Sequence, residues 1–156
     1  MRAARFGRLA WSAAAAALLL SSCATFQRSW DQSNVEMVAG LINDGQGQKL
    51  AAMSSTPFLV DGEIVAMKPD VSTFWNGIIK AGFKVEGATL TQGTSLTDES
   101  YKQFADTMEV KSFFAQYVKK GARILELRTA TAGDRILLIL GVSGNTKTIY
   151  GFKGPY

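Results

Sequence analysis

The sequence predicts an α+β domain in which a curved sheet of five to six strands, mixed or antiparallel, wraps around helices, preceded by a signal peptide. Two observations carry the fold class. Val71, Phe74, Trp75, Ile78 and Ile79 recur at helical spacing, which indicates an amphipathic helix with a wide apolar stripe. Separate apolar runs near the end of the chain are divided by turn residues, which indicates a meander of strands.

The first 22 residues are predicted to be a signal peptide. Arg2, Arg5 and Arg8 precede a mostly apolar run over 9–20, which is too short to span a bilayer core of ~30 Å comfortably. The run ends in Leu-Ser-Ser-Cys at 20–23, which resembles the lipobox of bacterial lipoproteins. This resemblance implies cleavage before Cys23 and lipidation of its thiol. The alternative is a buried free thiol, since lone cysteines are often core residues.

Removal of the predicted signal peptide changes the net charge of the chain. The loss of three arginines lowers the formal net charge from +4 to +1. A nearly neutral chain lacks the basic footprint that nucleic acid binding requires, so no nucleic acid partner is predicted. Two or three acyl chains hold a protein firmly on a membrane. Ala24 rather than Asp follows Cys23, which by resemblance to enteric lipoproteins favours the periplasmic face of the outer membrane in a Gram-negative host.

The mature chain is predicted to begin with a lipidated tether over 23–33, followed by one domain over 34–156. Ser33 and Glu36 match a capping box, so helix one is expected at about 34–43 and a short second helix at 48–54. Asp61-Gly62 between apolar runs predicts a type I′ hairpin over 58–67. Asp70 is expected to cap the amphipathic helix, which Gly82 ends.

The second half of the chain is predicted to hold a strand, a helical insertion and a three-strand meander. The strand covers 83–92, the insertion covers 97–120 as one bent helix or two, and the meander strands cover 122–129, 135–142 and 147–152. Residues 136–140 form a continuous apolar run, so the middle meander strand is expected to be central and covered on both faces.

This order of elements carries a resemblance to a known superfamily. Together with Pro57-Phe58, Asp61-Gly62-Glu63, Phe74-Trp75 and the Leu-rich terminal hairpin, it is similar to the nuclear transport factor 2-like, or SnoaL-like, proteins. The resemblance covers about 34–153 and implies a cystatin-like cone, in which the sheet wraps a long helix and leaves a pocket. The insertion departs from the compact plan, and is expected either to cap the mouth of the cone or to cover the sheet.

No catalytic residue, metal or cofactor is predicted. The chain has no His, which removes the usual general base, and one Cys, which excludes a cysteine-cluster zinc site. The superfamily's isomerases use a buried Asp base with a Tyr or protonated acid, and that pair has no match here. Four acids are candidates: Asp61, Glu63, Glu126 and Asp134. Turn chemistry explains Asp61 and Asp134, and Glu126 is expected to face solvent or to pair with Arg123 or Arg128.

Two further clusters have alternative interpretations. Six apolar residues either line a ligand cavity or pack as plain core: Phe58, Phe74, Trp75, Ile78, Phe83 and Tyr117. Lys119 and Lys120, with Arg123, either contact anionic headgroups or simply complement the end of a helix, and the second interpretation is favoured.

Three functions follow as hypotheses. The first is a non-enzymatic, lipid-anchored domain of the cell envelope that binds a small apolar ligand or an envelope partner protein. The second is a SnoaL-like isomerase or cyclase acting by proton transfer, which requires a titratable group deep in the cone. The third is a structural envelope lipoprotein that forms a homodimer through an open face of the sheet.

Overall fold

The computed structural model describes the backbone of residues 10–130 and 134–156, and the side chains of these ranges from residue 25 onward. Residues 1–9 and the side chain of Cys23 lie outside this description. The signal peptide and the lipidation site therefore stay predictions from the sequence.

Helices and strands follow one another in the predicted order. The helices are α1 (Ala10–Asn43), α2 (Gly47–Met53), α3 (Lys68–Lys80) and α4 (Met108–Tyr117), with a 3₁₀ helix at Ser100–Gln103. The strands are β1 (Ser54–Val60), β2 (Glu63–Val65), β3 (Thr89–Ser95), β4 (Arg123–Arg128), β5 (Arg135–Ser143) and β6 (Thr146–Lys153).

The six strands form one mixed sheet in the order β2-β1-β6-β5-β4-β3. β1 and β6 are parallel, and every other neighbouring pair is antiparallel. The pairing register shifts within β1–β6, β3–β4 and β5–β6, and bulges of this kind bend a sheet. The predicted α+β class and the mixed six-strand sheet are confirmed.

Helices cover both faces of this sheet, as the alternation along β5 shows. Ile136, Leu138 and Leu140 pack on the side of α1, α2 and α3, whereas Leu137 and Ile139 pack on the opposite side. All five side chains are buried, which confirms that β5 is a central strand covered on both faces. A strand with two buried faces needs apolar residues at every position, and this explains the unbroken run.

The predicted insertion covers the second face of the sheet. It consists of two short helices, and Tyr101, Phe104, Val110 and Phe113 from this region pack against Ile139 and its neighbours. The sheet is therefore not open where these helices lie. A homodimer through an open face of the sheet, as the third hypothesis requires, has no free surface at this position.

The first residues of two helices and one strand differ from the predicted ones. α1 begins far upstream of residue 34, so Ser33 and Glu36 lie inside a continuous helix rather than at its start. α3 begins at Lys68 with Pro69 in its first turn, where the fixed φ of proline suits a helix, and Asp70 lies in that turn instead of capping it. β3 begins at Thr89 rather than at 83. The hairpin is as predicted, with φ of +49° at Asp61 and +95° at Gly62.

Side chains of α1 bind the chain just before and at the start of β3. The Asn43 amide donates to the Val85 carbonyl at 3.0 Å and accepts from the Val85 N–H at 2.7 Å. Gln32 accepts from the Leu90 N–H at 2.8 Å. The two bonds to Asn43 occupy both backbone groups of Val85, so this residue does not pair with a neighbouring strand.

Candidate functional site

Five of the six candidate pocket residues pack together in the core between the sheet and the helices α1, α2 and α3. Phe58 and Trp75 are fully buried, with ring centroids 5.8 Å apart, and Phe74 lies 5.0 Å from Trp75. The ring centroids of Phe83 and Phe152 lie 6.1 Å apart, and Ile78 packs against the same cluster. The space left nearby between α1, β4 and β5 is only about 10 Å³. These rings fill the interior in which the resemblance implied a pocket.

The sixth candidate, Tyr117, borders a groove on the other side of the sheet. This groove lies between α4 and the β1–β2 hairpin, and its volume is about 550 Å³. Ligand sites commonly have volumes of ~300–1,000 Å³, so the groove is large enough for a small molecule. Its lining residues are Pro57, Ile64, Ala66, Met108, Glu109, Ser112, Phe113, Gln116 and Tyr117.

Helix α4 presents one stripe of residues to the groove. The Thr107 hydroxyl accepts from the Val110 N–H at 3.3 Å and so fixes the start of α4. From there Glu109, Ser112 and Gln116 follow at helical spacing along the lined side. Phe113 is buried at the base of the groove, whereas Met108 is 70% exposed at its rim.

The opposite wall is an edge of the sheet. β2 is the terminal strand of the sheet and has three residues, so its outer side has no strand partner among the described residues. Ile64 is partly exposed on this strand, and Met67 just beyond it is also exposed. Apolar side chains without cover around a concave surface mark a binding site more often than scattered surface residues do.

The chemistry of the groove favours binding over catalysis. Its polar groups are one carboxylate, one hydroxyl, one amide and one phenol, from Glu109, Ser112, Gln116 and Tyr117. Such a set can orient a mostly apolar ligand by a few hydrogen bonds. Across the described ranges, no group of three or more His, Cys, Asp or Glu side chains is placed to hold a metal ion.

Two of the four candidate acids, Asp61 and Glu126, have structural partners for their carboxylates. Asp61 lies in the hairpin turn and accepts from the Gly154 N–H at 2.8 Å. Glu126 pairs with Arg135 of the neighbouring strand at 2.6 Å, rather than with Arg123 or Arg128, and also accepts from Thr91. The Arg135 guanidinium lowers the pKa of the Glu126 carboxyl, so this acid is ionised near neutral pH. Glu63 is exposed on β2.

A buried ion pair joins α1 to the sheet, and no sequence pattern predicted it. Asp31 is 2% exposed, and the Arg123 guanidinium donates to both of its carboxylate oxygens at 3.0 Å. Arg123 also donates to the Gly93 carbonyl at 2.7 Å and to the Ser95 hydroxyl at 3.0 Å. The two partners lie 92 residues apart, so no local spacing links them.

A second, polar depression lies near this ion pair. Its volume is about 280 Å³, and its lining includes Lys119, Lys120, Ser143, Thr146 and Thr148. The Tyr150 phenol also lines it, and burial raises the pKa of that phenol. The depression therefore combines two ammonium groups with neutral hydroxyl donors at one end of the sheet.

No protein-family model matches the chain, and searches of curated proteins and of solved structures found no match. Among the described residues, no helix is both long and apolar enough to cross a membrane.

Proposed function

We propose that this protein is a lipid-anchored domain of a bacterial cell envelope that binds a small, largely apolar ligand in the groove between α4 and the β1–β2 hairpin. The anchor rests on the sole cysteine, Cys23, which follows a basic start, an apolar run and two small residues. The binding role rests on one observation, an uncovered groove of about 550 Å³ with an apolar base and a few polar groups. In a Gram-negative host the proposed location is the periplasmic face of the outer membrane.

Packing supports a binding role over proton transfer. A SnoaL-like isomerase needs a titratable group inside the cone, and Trp75, Phe58 and Phe152 occupy that interior. Among the described residues, the buried acid is Asp31, and the Arg123 guanidinium donates to both of its carboxylate oxygens. Both oxygens of this carboxylate contact Arg123 and the residue is buried, so a substrate in the interior has no access to it.

The proposed fold family is the nuclear transport factor 2-like superfamily. The support is the element order: two helices, a hairpin, a helix, a strand, a helical insertion and a three-strand meander. α1 lies over one face of a mixed sheet whose pairing register shifts in three places, as a cone requires. The departures are the aromatic filling of the interior and the helices on the second face, and they move the proposed ligand site out of the cone.

The anchor is tested by replacing its only attachment atom. In cells fed a labelled fatty acid, we expect label on the wild-type protein and none on the Cys23→Ser variant. An inhibitor of lipoprotein signal peptidase should also cause the larger precursor to accumulate. A Cys23→Ser protein that still takes up label, or a wild-type protein that takes up none, would contradict the lipoprotein assignment.

The groove is tested by filling it. Ser112→Trp places an indole inside the groove, whereas Lys111→Trp places the same indole on an exposed side of α4 that does not line the groove, as a matched control. Native mass spectrometry of residues 24–156 should reveal a dissociable small molecule on the parent protein and on Lys111→Trp, but not on Ser112→Trp. Equal occupancy of both variants would place the ligand elsewhere, and a mass of two copies without ligand would favour a homodimer.

A further inference from the structure

The end of the domain from which the chain runs back to Cys23 has a fixed orientation. Gln27 donates to Asp31 at 3.1 Å, and Asp31 is held by Arg123 at the start of β4. Residues 24–33 are part of the continuous helix α1 rather than an extended tether. At ~1.5 Å per helical residue, the backbone of Cys23 lies only about 10 Å along the axis from Trp30. A lipid on Cys23 would therefore hold this end of the domain against the bilayer.

Two aromatic side chains of α1 are exposed at this end. Phe26 is 74% exposed and Trp30 is 41% exposed. They lie four positions apart, so they share one side of the helix. Tryptophan concentrates at the interface between lipid and water, and helices that lie in this interface present Trp, Phe and Leu to the membrane. Phe26 and Trp30 follow Cys23 by three and seven residues, so a lipid on Cys23 would bring both rings close to this interface.

Basic side chains surround the same end. Gly121 borders a depression together with Trp30 and Asp31, and Lys119 and Lys120 directly precede it in the chain. Both lysines are exposed, and they line the polar depression with Ser143, Thr146 and Thr148. Arg28 is exposed on α1 itself.

Two acids near this end, Asp31 and Glu99, are paired with basic side chains, whereas Asp98 beside Glu99 is exposed and has no ion pair among the described residues. Asp31 is paired with Arg123, and Glu99, which follows β3, is paired with Lys102. Lys119, Lys120 and Arg28 have no ion pair among the described residues, so unpaired cations outnumber unpaired acids here. Cations close to an anionic bilayer are attracted to it within about a Debye length.

We infer that this end of the domain, formed by Phe26, Trp30, Arg28, Lys119 and Lys120, is a second membrane contact that docks on anionic phospholipid headgroups beside the lipid anchor. The inference rests on the proposed anchor at Cys23. The docked domain holds the groove between α4 and β2 in one orientation relative to the membrane, instead of swinging on a flexible tether.

Trp30 provides the probe. The chain has three tryptophans; the first lies in the predicted signal peptide and Trp75 is fully buried, so Trp30 is the exposed indole of the mature protein. The mature lipidated protein is reconstituted into vesicles of phosphatidylcholine alone, or with added phosphatidylglycerol, carrying bromine close to the headgroups. We expect quenching of Trp30 fluorescence that is strongest with phosphatidylglycerol, weakens at high salt and disappears in Trp30→Phe.

Charge reversal separates docking from simple anchoring. Lys119→Glu/Lys120→Glu should lose most of the quenching in phosphatidylglycerol vesicles. The matched control is Lys49→Glu/Lys80→Glu, because both lysines are exposed and Lys49 follows the opposite end of α1. This control should keep the wild-type quenching.

Vesicle flotation distinguishes the two proposals. A protein that does not float with vesicles refutes the anchor and the docking surface together. A protein that floats but shows no Trp30 quenching, or quenching that is unchanged by the Lys119 and Lys120 substitutions, keeps its anchor and refutes the docking surface. Flotation with quenching that depends on phosphatidylglycerol and on these two lysines supports both.

Discussion

At the scale of single residues, the contact between α1 and the sheet depends on one ion pair and the glycine beside it. Asp31 and Arg123 are both largely buried, so each needs the other to compensate for lost hydration. Gly93 lies against this pair, and a Cβ atom added there would collide with the Asp31 carboxylate and come within 3.2 Å of an Arg123 nitrogen. Gly93 is therefore required for close approach of α1.

We expect Gly93→Ala to lower the free energy of unfolding by about 1–3 kcal/mol, because the added methyl group displaces a buried ion pair. Gly77→Ala is the matched control. Gly77 lies in α3, and a methyl group added there would have no neighbouring atom within 4 Å, so alanine should raise stability by about 0.5–1 kcal/mol. Urea unfolding followed by circular dichroism measures both. A Gly93→Ala protein as stable as the wild type would contradict the close approach.

We expect Glu126 to make the stability of the protein depend on pH. Its pKa is lowered in the folded state, mainly by the hydrogen bond from Arg135. A lowered folded pKa stabilises the protein above the unfolded pKa of ~4.3, and this contribution is lost as the pH falls through the folded pKa. Arg135 is 43% exposed, so water screens the pair and the contribution should not exceed about 1 kcal/mol.

The measurement compares wild type with Glu126→Gln at pH 7 and at pH 3. The difference in unfolding free energy between the two proteins should be smaller at pH 3 than at pH 7, because protonation of the wild-type carboxyl removes its contribution as the pH falls. When Arg135→Gln is introduced into both proteins, the difference in their unfolding free energy at pH 7 should also shrink, because the partner of Glu126 is removed. A difference that stays constant with pH would mean that the pair does not contribute to stability in solution.

At the scale of elements, α3 is held on the sheet by one large side chain. Trp75 is fully buried between Phe58 and Phe152, with ring centroids 5.8 and 5.5 Å away. Its indole N–H donates to the Ser54 hydroxyl at 2.8 Å, and that hydroxyl donates to the Leu50 carbonyl at 2.8 Å. This chain of two bonds links α3, β1 and α2.

Trp75→Phe should destabilise the protein by about 1–3 kcal/mol, because it removes the donor to Ser54 and leaves part of the indole volume empty. Trp30→Phe is the same chemical change at an exposed site, and should alter stability by no more than about 0.5 kcal/mol. Thermal unfolding of both variants tests this. Equal losses would indicate that the indole N–H bond and the packing around it are unimportant.

At the scale of the whole molecule, the folded unit begins earlier in the chain than the predicted boundary at 34. Asp31 and Gln32 lie in the predicted tether, yet Asp31 binds Arg123 and Gln32 binds the backbone of Leu90. The tether prediction relied on the capping box at Ser33, which lies inside α1.

Truncation tests this boundary. Residues 25–156 keep both contacts, whereas residues 33–156 lose them and leave Arg123 without its carboxylate partner. We expect the shorter chain to be less stable by about 2–4 kcal/mol in urea unfolding. Equal stability of the two chains would restore the boundary near 34 and would make the stretch before it a tether.

Local patterns determined the type and order of the elements. The type I′ hairpin follows from Asp61-Gly62, because only residues that tolerate positive φ fit that turn. The central strand follows from the apolar run over 136–140, because both of its faces must be covered. These features depend on a few neighbouring residues, so they can be predicted from the sequence.

The tertiary structure alone decided which elements meet. Phe74, Trp75 and Tyr117 are all aromatic residues on apolar stripes, yet the first two fill a core and Tyr117 borders a groove. The ion pair of Asp31 with Arg123 joins residues 92 positions apart. Packing across the sheet selects such contacts from many apolar and charged candidates of similar local pattern. For this reason the order of the strands, the groove and the early start of the folded unit required the three-dimensional structure.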